Sequence, residues 1–271
     1  MKRSDRLIGM TNYFMNHPQQ LVQLTYFTER FEASKSSISE DLDIINDMFQ
    51  HEGIGLLERV AGAAGGAKYV PNFEKDNSYQ FIDNLCETLQ DSSRILPGGY
   101  LYMSDLLGDP AIIREIGKAF VSAFYGKEID AVVTVETKGI PLAYAVANYL
   151  NVPVVIIRRN MRVTEGSSVS INYVSGRSQR IQTMVLPKRS LKEGMNVCII
   201  DDFMKAGGTV TGMISLLEEF KATVVGIGVF AEAEDEENER MIHQYTSLIK
   251  VSNVNTKNKR IDVKHGSYFH A

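Results

Sequence analysis

Val197-Cys198-Ile199-Ile200-Asp201-Asp202-Phe203-Met204-Lys205-Ala206-Gly207-Gly208-Thr209 decides the fold of this chain. Four apolar residues, Val197 to Ile200, read as a buried strand. The acidic pair Asp201-Asp202 sits at its end. A short glycine loop follows, closed by Thr209, and an apolar-periodic helix begins (Val210, Met213, Ile214, Leu217). Loop amides and the dipole of a helix N-terminus hold a phosphate. Carboxylates accept hydrogen bonds from ribose hydroxyls. The arrangement points to a sugar phosphate. The spacing fits neither a P-loop, which needs Gly-x4-Gly-Lys-Ser/Thr, nor a dinucleotide fingerprint.

Outward from this stretch, strands and helices alternate. Strands are expected over 132–135, 152–157, 223–230 and 247–254, and helices over 139–150 and 235–244. Such alternation predicts an α/β domain with a mostly parallel sheet and crossover helices. Ligands of such sheets sit beyond the C-terminal strand ends. Glu136-Thr137-Lys138-Gly139 and Asp201 to Thr209 both lie at such ends, so one shared site is expected. A short turn with a lysine and free amides suits a diphosphate. Between Ile157 and the signature runs a long polar segment that includes Arg158, Arg159, Arg162, Glu165, Tyr173, Arg177 and Arg180. It is expected to be a functional loop without regular structure.

The first seventy or so residues have another character. Leu7, Ile8, Met10, Phe14 and Met15 suit a helix face. A second helix is expected from Pro18 through Leu21, Leu24 and Phe27. Ser34-Lys35-Ser36-Ser37 caps a third, with Ile38, Leu42, Ile45, Met48 and Phe49 inward. Two short strands, 56–60 and 68–71, flank a small-residue loop and read as a hairpin. Three helices and a hairpin spell a winged helix-turn-helix over residues 1–73, followed by a second domain over 74–271. A helical dimerisation cap is the alternative for the first domain. Its charge is unhelpful to DNA, with seven Lys/Arg against nine Asp/Glu through residue 72. The acids lie mainly in the body of the third helix (Glu40, Asp41, Asp43, Asp47), whereas its start carries Ser34, Lys35, Ser36 and Ser37. That end enters a major groove in such motifs. Lys2, Arg3, Arg6, Arg30, Arg59 and Lys68 are candidates to flank it.

The whole chain of 271 residues has a formal net charge of −4, 44% hydrophobic and 23% charged residues. That is ordinary for a globular protein. It gives no global pull toward nucleic acid, so DNA binding has to rest on a local patch. No run approaches the ~20 apolar residues that span a bilayer. The N-terminus has no signal-peptide core. The two cysteines, Cys86 and Cys198, lack metal-like spacing. A cytoplasmic protein without a membrane partner is expected.

The signature resembles that of the type I phosphoribosyltransferases, which bind 5-phosphoribosyl-1-diphosphate (PRPP). The resemblance implies that Asp201 and Asp202 hold the ribose, with Mg2+ reached through the diphosphate. It assigns Lys205, Ala206, Gly207, Gly208 and Thr209 to the phosphate loop, and Thr137, Lys138 and Gly139 to the diphosphate turn. Glu136-Thr137-Lys138-Gly139 is similar to the Glu-Ser-Arg-Gly of adenine phosphoribosyltransferases, and Ser170-Ile171-Asn172-Tyr173 to their Ser-Leu-Glu-Tyr. The polar segment with Arg158, Arg159 and Tyr173 then corresponds to a hood over the diphosphate. The segment from Leu96 to Leu107 resembles the one that covers the base in adenine and xanthine enzymes. Tyr100 and Tyr102, with Phe203 opposite, become candidates for stacking.

One position departs from an enzyme. Where 6-oxopurine transferases carry an aspartate that helps the base lose its proton, and adenine enzymes a small residue, this chain has Lys205. A fixed cation cannot be that base near neutral pH. With the helix-turn-helix, the balance shifts from catalysis to sensing. The complete arrangement resembles the purine operon repressors of Gram-positive bacteria. The motifs are Ser34 to Leu42, Gly62-Ala63-Ala64-Gly65-Gly66, Thr137 to Pro141, and Phe203-Met204-Lys205. The resemblance implies a dimeric repressor of purine biosynthesis genes that binds double-stranded operator DNA. It also implies no catalytic residues and no catalytic cofactor, with PRPP lowering DNA affinity. An active purine phosphoribosyltransferase with an added regulatory domain is the alternative. The phosphate sites beside the aromatic surfaces suggest, further, that guanosine tetraphosphate competes with PRPP.

Overall fold

The computed structural model describes all residues except 63–64, 98–99, 162–163, 165, 176–179, 235–240, 256–259 and 270–271. The expectations placed on Gly98, Gly99, Arg162, Glu165, Arg177 and most of the acidic helix lie outside the described residues. So does any statement about the Arg180 side chain. The chain divides into two compact units, Met1–Glu74 with Tyr149–Asn151, and Lys75–Asn148 with Val152–Ala271.

The first unit runs α1 (Arg3–Asn16), β1 (Val22–Gln23), α2 (Leu24–Phe31), α3 (Lys35–His51), β2 (Gly55–Val60) and β3 (Gly66–Pro71). Its core takes Met10 and Phe14 from α1, Phe27 and Phe31 from α2, and Ile38, Leu42, Ile45 and Phe49 from α3. The three- and four-residue spacings put each set on one helix face. Ser34 caps α3, its Oγ accepting from the Ser37 amide at 3.2 Å. Glu32, left-handed at φ 50°, makes the turn between α2 and α3.

The second helix begins at Leu24, not Pro18, because Val22 and Gln23 pair antiparallel with Ala67 and Gly66. The Gln19 amide also donates to the Tyr69 carbonyl at 2.8 Å. Sheet hydrogen bonds thus claim backbone that helix periodicity had claimed. Met48 is 52% exposed rather than inward. The packed stripe of α3 runs through 38, 41, 42, 45 and 49, and its fifth member is the fully buried Asp41.

The second unit opens with α4 (Lys75–Leu89), a hairpin of β4 (Ile95–Leu96) and β5 (Tyr100–Leu101), α5 (Ser104–Gly108) and α6 (Pro110–Ala123). There follow β6 (Ala131–Val135), α7 (Gly139–Leu150), β7 (Val154–Ile157), β8 (Ser168–Ser175), β9 (Arg180–Pro187), β10 (Asn196–Met204) and α8 (Gly208–Glu218). The chain finishes with β11 (Thr223–Ala233), β12 (Thr246–Asn255) and β13 (Arg260–His265). Six strands form one sheet in the order β13-β12-β11-β10-β6-β7. Every pair is parallel except β12 with β13. The near-continuous apolar runs of β6 and β10 fit interior strands of a parallel sheet. Val133, Val135, Val197 and Ile199 of these strands belong to one core cluster with Val210, Met213 and Leu217 of α8.

The polar segment after Ile157 departs from expectation. It is an antiparallel hairpin of β8 and β9, tied to Arg158 by a bridge to Val185. Tyr173, Met184 and Leu186 point into the core. The reason is Gly212 of α8: a Cβ there would lie 2.8 Å from the Tyr173 ring, so the missing side chain is the ring's seat. Tyr173 was expected in a loop over the diphosphate; it is a packing residue. Residues 241–244 of the expected acidic helix are not helical. No described helix is long and apolar enough to cross a membrane.

Candidate functional site

Strands β6 and β10 are neighbours, with Cys198 opposite Val132 and Ile199 opposite Val133. Their C-terminal ends therefore deliver two loops to one place. The β6 end turns through Glu136, Thr137 and Lys138 into α7, and the Glu136–Thr137 peptide is cis. The β10 end passes Lys205, Ala206 and Gly207 into α8. Gly139 marks the junction. A Cβ on it would run into Thr134 Oγ1 and stand 3.3 Å from both Asp201 Oδ1 and the Ile200 carbonyl oxygen. Only glycine lets the first turn of α7 come this close to the acid pair.

Asp201 is buried and Asp202 half-buried. The Asp202 amide donates to Asp201 Oδ1 at 2.9 Å. Burial pushes the Asp201 carboxyl well above the ordinary carboxylate range, and the neighbouring Asp202 adds to it, while Arg159 opposes. Burial raises Asp202 too, with the Asp201 hydrogen bond and the Lys138 charge pulling it back. Two desolvated carboxylates side by side favour a ligand that brings donors or a cation.

The phosphate-type elements surround this pair. Gly207 caps α8 in the left-handed conformation at φ 91°, and no side chain caps the helix. The first amides of α8 are thus left for a ligand. Lys205 is exposed, Ala206 and Thr209 are half-buried, and Gly208 is buried. On the other loop Thr137 and Lys138 are exposed. Glu136 ties the turn to the end of β7: its Oε1 accepts from the Arg159 amide at 2.8 Å and its Oε2 pairs with Arg158 at 3.3 Å. Arg159 Nη1 reaches Gln182 Oε1 at 3.2 Å, which also accepts from Tyr173 at 2.7 Å. Sequence reasoning missed Gln182; nothing in its own neighbourhood marks it.

The aromatic candidates are not assembled. Tyr100 and Tyr102 are exposed, Phe203 is half-buried, and no ring contact joins them among the described residues. Arg94 organises their segment, donating to the Tyr102 carbonyl at 3.1 Å and bracing Asp105 at 2.7 Å.

In the first unit the serines crowd the start of α3. Ser34 Oγ lies 2.9 Å from the hydroxyls of both Ser36 and Ser37. Lys35 is exposed, with no ion pair among the described residues. Lys2 is exposed at the cap of α1. Arg3, Arg6, Arg59 and Lys68 are paired with acids of the same domain, Arg3 and Arg59 while still exposed. Arg3 and Arg6 each meet Asp41 at 2.8 Å. Arg59 meets Asp43 at 2.6 Å and the Ser39 carbonyl at 2.9 Å, so β2 is fastened to α3. Lys68 pairs with Glu58 at 2.8 Å across the hairpin.

Residues 2–71 match the family described as bacterial purine repressor, N-terminal, and residues 103–265 match the phosphoribosyl transferase domain. The purine biosynthesis transcriptional repressor PurR of Bacillus subtilis (strain 168) is 56% identical, over 98% of this chain and 93% of its own. The purine biosynthesis transcriptional activator PurR of Lactococcus lactis subsp. lactis (strain IL1403) is 44% identical over 99% of both. Among solved structures, adenine phosphoribosyltransferase from Thermoanaerobacter pseudethanolicus superposes with a TM-score of 0.53 at 20% identity. It covers 62% of this chain and 98% of that one, a likeness of fold. Winged helix, parallel sheet and paired loops therefore sit together in a member of the bacterial purine repressor family, DNA-binding regulators of purine biosynthesis that carry a phosphoribosyltransferase fold.

Proposed function

We propose that this chain is a homodimeric repressor that binds double-stranded operator DNA through its first unit and releases it when PRPP occupies the second. The observation that carries the reading is the close packing of Gly139, at the start of α7, beside Asp201 of β10, where an added Cβ would stand 3.3 Å from Oδ1. A ligand engaging both loops needs phosphate at each end and hydroxyls between, and PRPP has that layout. Its ribose hydroxyls would donate to Asp201 and Asp202. Its 5-phosphate would take the amides of α8, and its diphosphate the Thr137–Gly139 turn with Lys138. Among the described residues no three His, Cys, Asp or Glu cluster as a metal cage. Magnesium suits one or two carboxylates plus substrate phosphates and waters, so the acid pair fits an ion that arrives with the diphosphate. For PRPP to act as inducer, the DNA-bound state must hold it less tightly than the free state.

The reading is of a sensor and not an enzyme: Lys205 cannot be the base that 6-oxopurine transferases carry at this position. Assays for nucleotide formation from PRPP with adenine, guanine, hypoxanthine or xanthine test this, and sustained turnover overturns it. Guanosine tetraphosphate is proposed as a competitor, its diphosphates using the phosphate sites and its base the Tyr100, Tyr102 or Phe203 surface. Calorimetry with and without saturating PRPP tests it; binding that ignores PRPP removes the shared pocket.

The deciding experiment titrates PRPP against an operator complex at stated salt, because DNA affinity is strongly salt-dependent. Release by PRPP in the wild type, with Asp202→Ala retaining operator affinity and resisting release, is the expected result. Loss of operator binding in Asp202→Ala with PRPP response intact overturns the site.

A further inference from the structure

Glu232 lies on β11 beside the signature strand, opposite Met204. Its side chain is 5% exposed, and no phosphate or ribose role above uses it. Its carboxylate accepts two hydroxyls, from Tyr245 at 2.6 Å on Oε2 and from Ser247 at 2.8 Å on Oε1. A buried carboxylate bound this way specifies where its partners sit. Those partners begin β12 and end the non-helical stretch before it. The same stretch backs the phosphate loop. The Met241 amide donates to the Ala206 carbonyl at 3.1 Å. Ile242 packs on Gly207, so closely that a Cβ there would lie 3.3 Å from Ile242 Cγ1. Residues 241–245 are thus fastened at one end to the loop and at the other, through Tyr245, to Glu232, just before Thr246 and Ser247 join the sheet opposite Gly228 and Val229. Residues 241–245 themselves lie in no helix or strand.

We propose that Glu232 positions the phosphate loop, holding residues 241–245 through Tyr245 so that Ala206 and Gly207 present the amides of α8 to the ligand. The left-handed Gly207 is the residue that aims those amides, and Ile242 fills the side away from the ligand. Cutting the Glu232 anchor loosens that backing and lowers phosphate affinity without touching the diphosphate turn on β6. This inference rests on the effector reading above.

The test measures PRPP binding to the full-length wild type, Glu232→Gln, Tyr245→Phe and the double variant, with folding checked by circular dichroism. Ribose 5-phosphate and inorganic pyrophosphate serve as competitors. Each single change is expected to weaken PRPP by about tenfold, the scale of one hydrogen bond to a charged group. The double variant is expected to lose no more than either single one. Competition by ribose 5-phosphate should weaken in step, and competition by pyrophosphate and effector-free operator affinity should hold. Unchanged PRPP affinity in the variants overturns the role of Glu232, as does an equal loss for both competitors. Should Glu232→Gln fail to fold, Tyr245→Phe, which removes one hydroxyl, decides alone. A wild type that does not bind PRPP overturns the effector reading itself, and this inference with it.

Discussion

Gly139, at the start of α7, lies beside Asp201 of β10: a Cβ on it would run into Thr134 Oγ1 and stand 3.3 Å from Asp201 Oδ1. Thr134 Oγ1 closes the space behind Gly139, so the Thr137–Gly139 turn is packed beside the acid pair.

Gly139→Ala is therefore expected to push the turn away from the acid pair. PRPP affinity should fall by at least tenfold, since positioned groups lose their effect within about 1 Å. Effector-free operator affinity should hold. Calorimetry beside an operator-binding assay checks both; PRPP affinity within twofold of wild type would show that the close approach is immaterial.

The raised carboxyls of Asp201 and Asp202 make a stability prediction. A carboxyl raised on folding favours the folded state while protonated, and that advantage is lost as pH rises through the raised range. Without ligand, the second unit should lose stability from acidic toward neutral pH. Asp201→Asn keeps the shape, carries no charge and should flatten the dependence. It should also raise Tm at neutral pH by several degrees, about 2–4 °C for each kcal/mol in a chain of this size. Thermal unfolding across pH checks it, and a lower Tm for Asp201→Asn at neutral pH contradicts it. PRPP binding must suffer in the same variant.

Lys35 should contact a DNA phosphate from the start of α3, where it stands exposed. Lys35→Ala should weaken all sequences alike and lower the slope of log affinity against log salt by about 1. Arg59→Ala should act differently. Its guanidinium fastens β2 to α3 through Asp43, so its loss should reduce sequence discrimination as the hairpin loosens. Two variants with the same slope change and the same uniform weakening would return Arg59 to the phosphate-contact role.

Asp41 is fully buried between Arg3 and Arg6. Asp41→Asn removes the buried charge itself and leaves Arg6, 14% exposed, without its partner while Arg3 stays 50% exposed, so the cost falls below the about 3–5 kcal/mol of stranding a fully buried charge. Asp41→Asn should lower the unfolding temperature of the first unit and weaken operator binding together. PRPP affinity should stay unchanged. An unaltered melting profile would place the clamp outside the folding of this domain.

The local chemistry of the chain carried much of this architecture. The apolar runs at 132–135 and 197–200, the acid pair, the glycines at 207 and 208 and the serine cap at 34 each announce a strand, a site or a helix start. The hairpin at β8 and β9 was not legible. Its polar face dominates the composition, and its apolar face makes sense only once Gly212 is known to lie beneath Tyr173. The start of α2 was misplaced for a similar reason, since the partner of Val22 lies 45 residues away at Ala67.

By itself the sequence determined the central strands β6 and β10, which loops carry glycine and charge, and which strand ends bear the ligand chemistry. Those properties depend on residues within a few positions of one another. The tertiary structure alone decided that Asp41 is a buried acid gripped by Arg3 and Arg6 rather than one more solvated charge. It likewise decided that Gly139 sits against Asp201 and that Glu232 anchors Tyr245. Burial and partner choice depend on which distant segments the sheet order and helix packing bring into contact, and no local pattern encodes that.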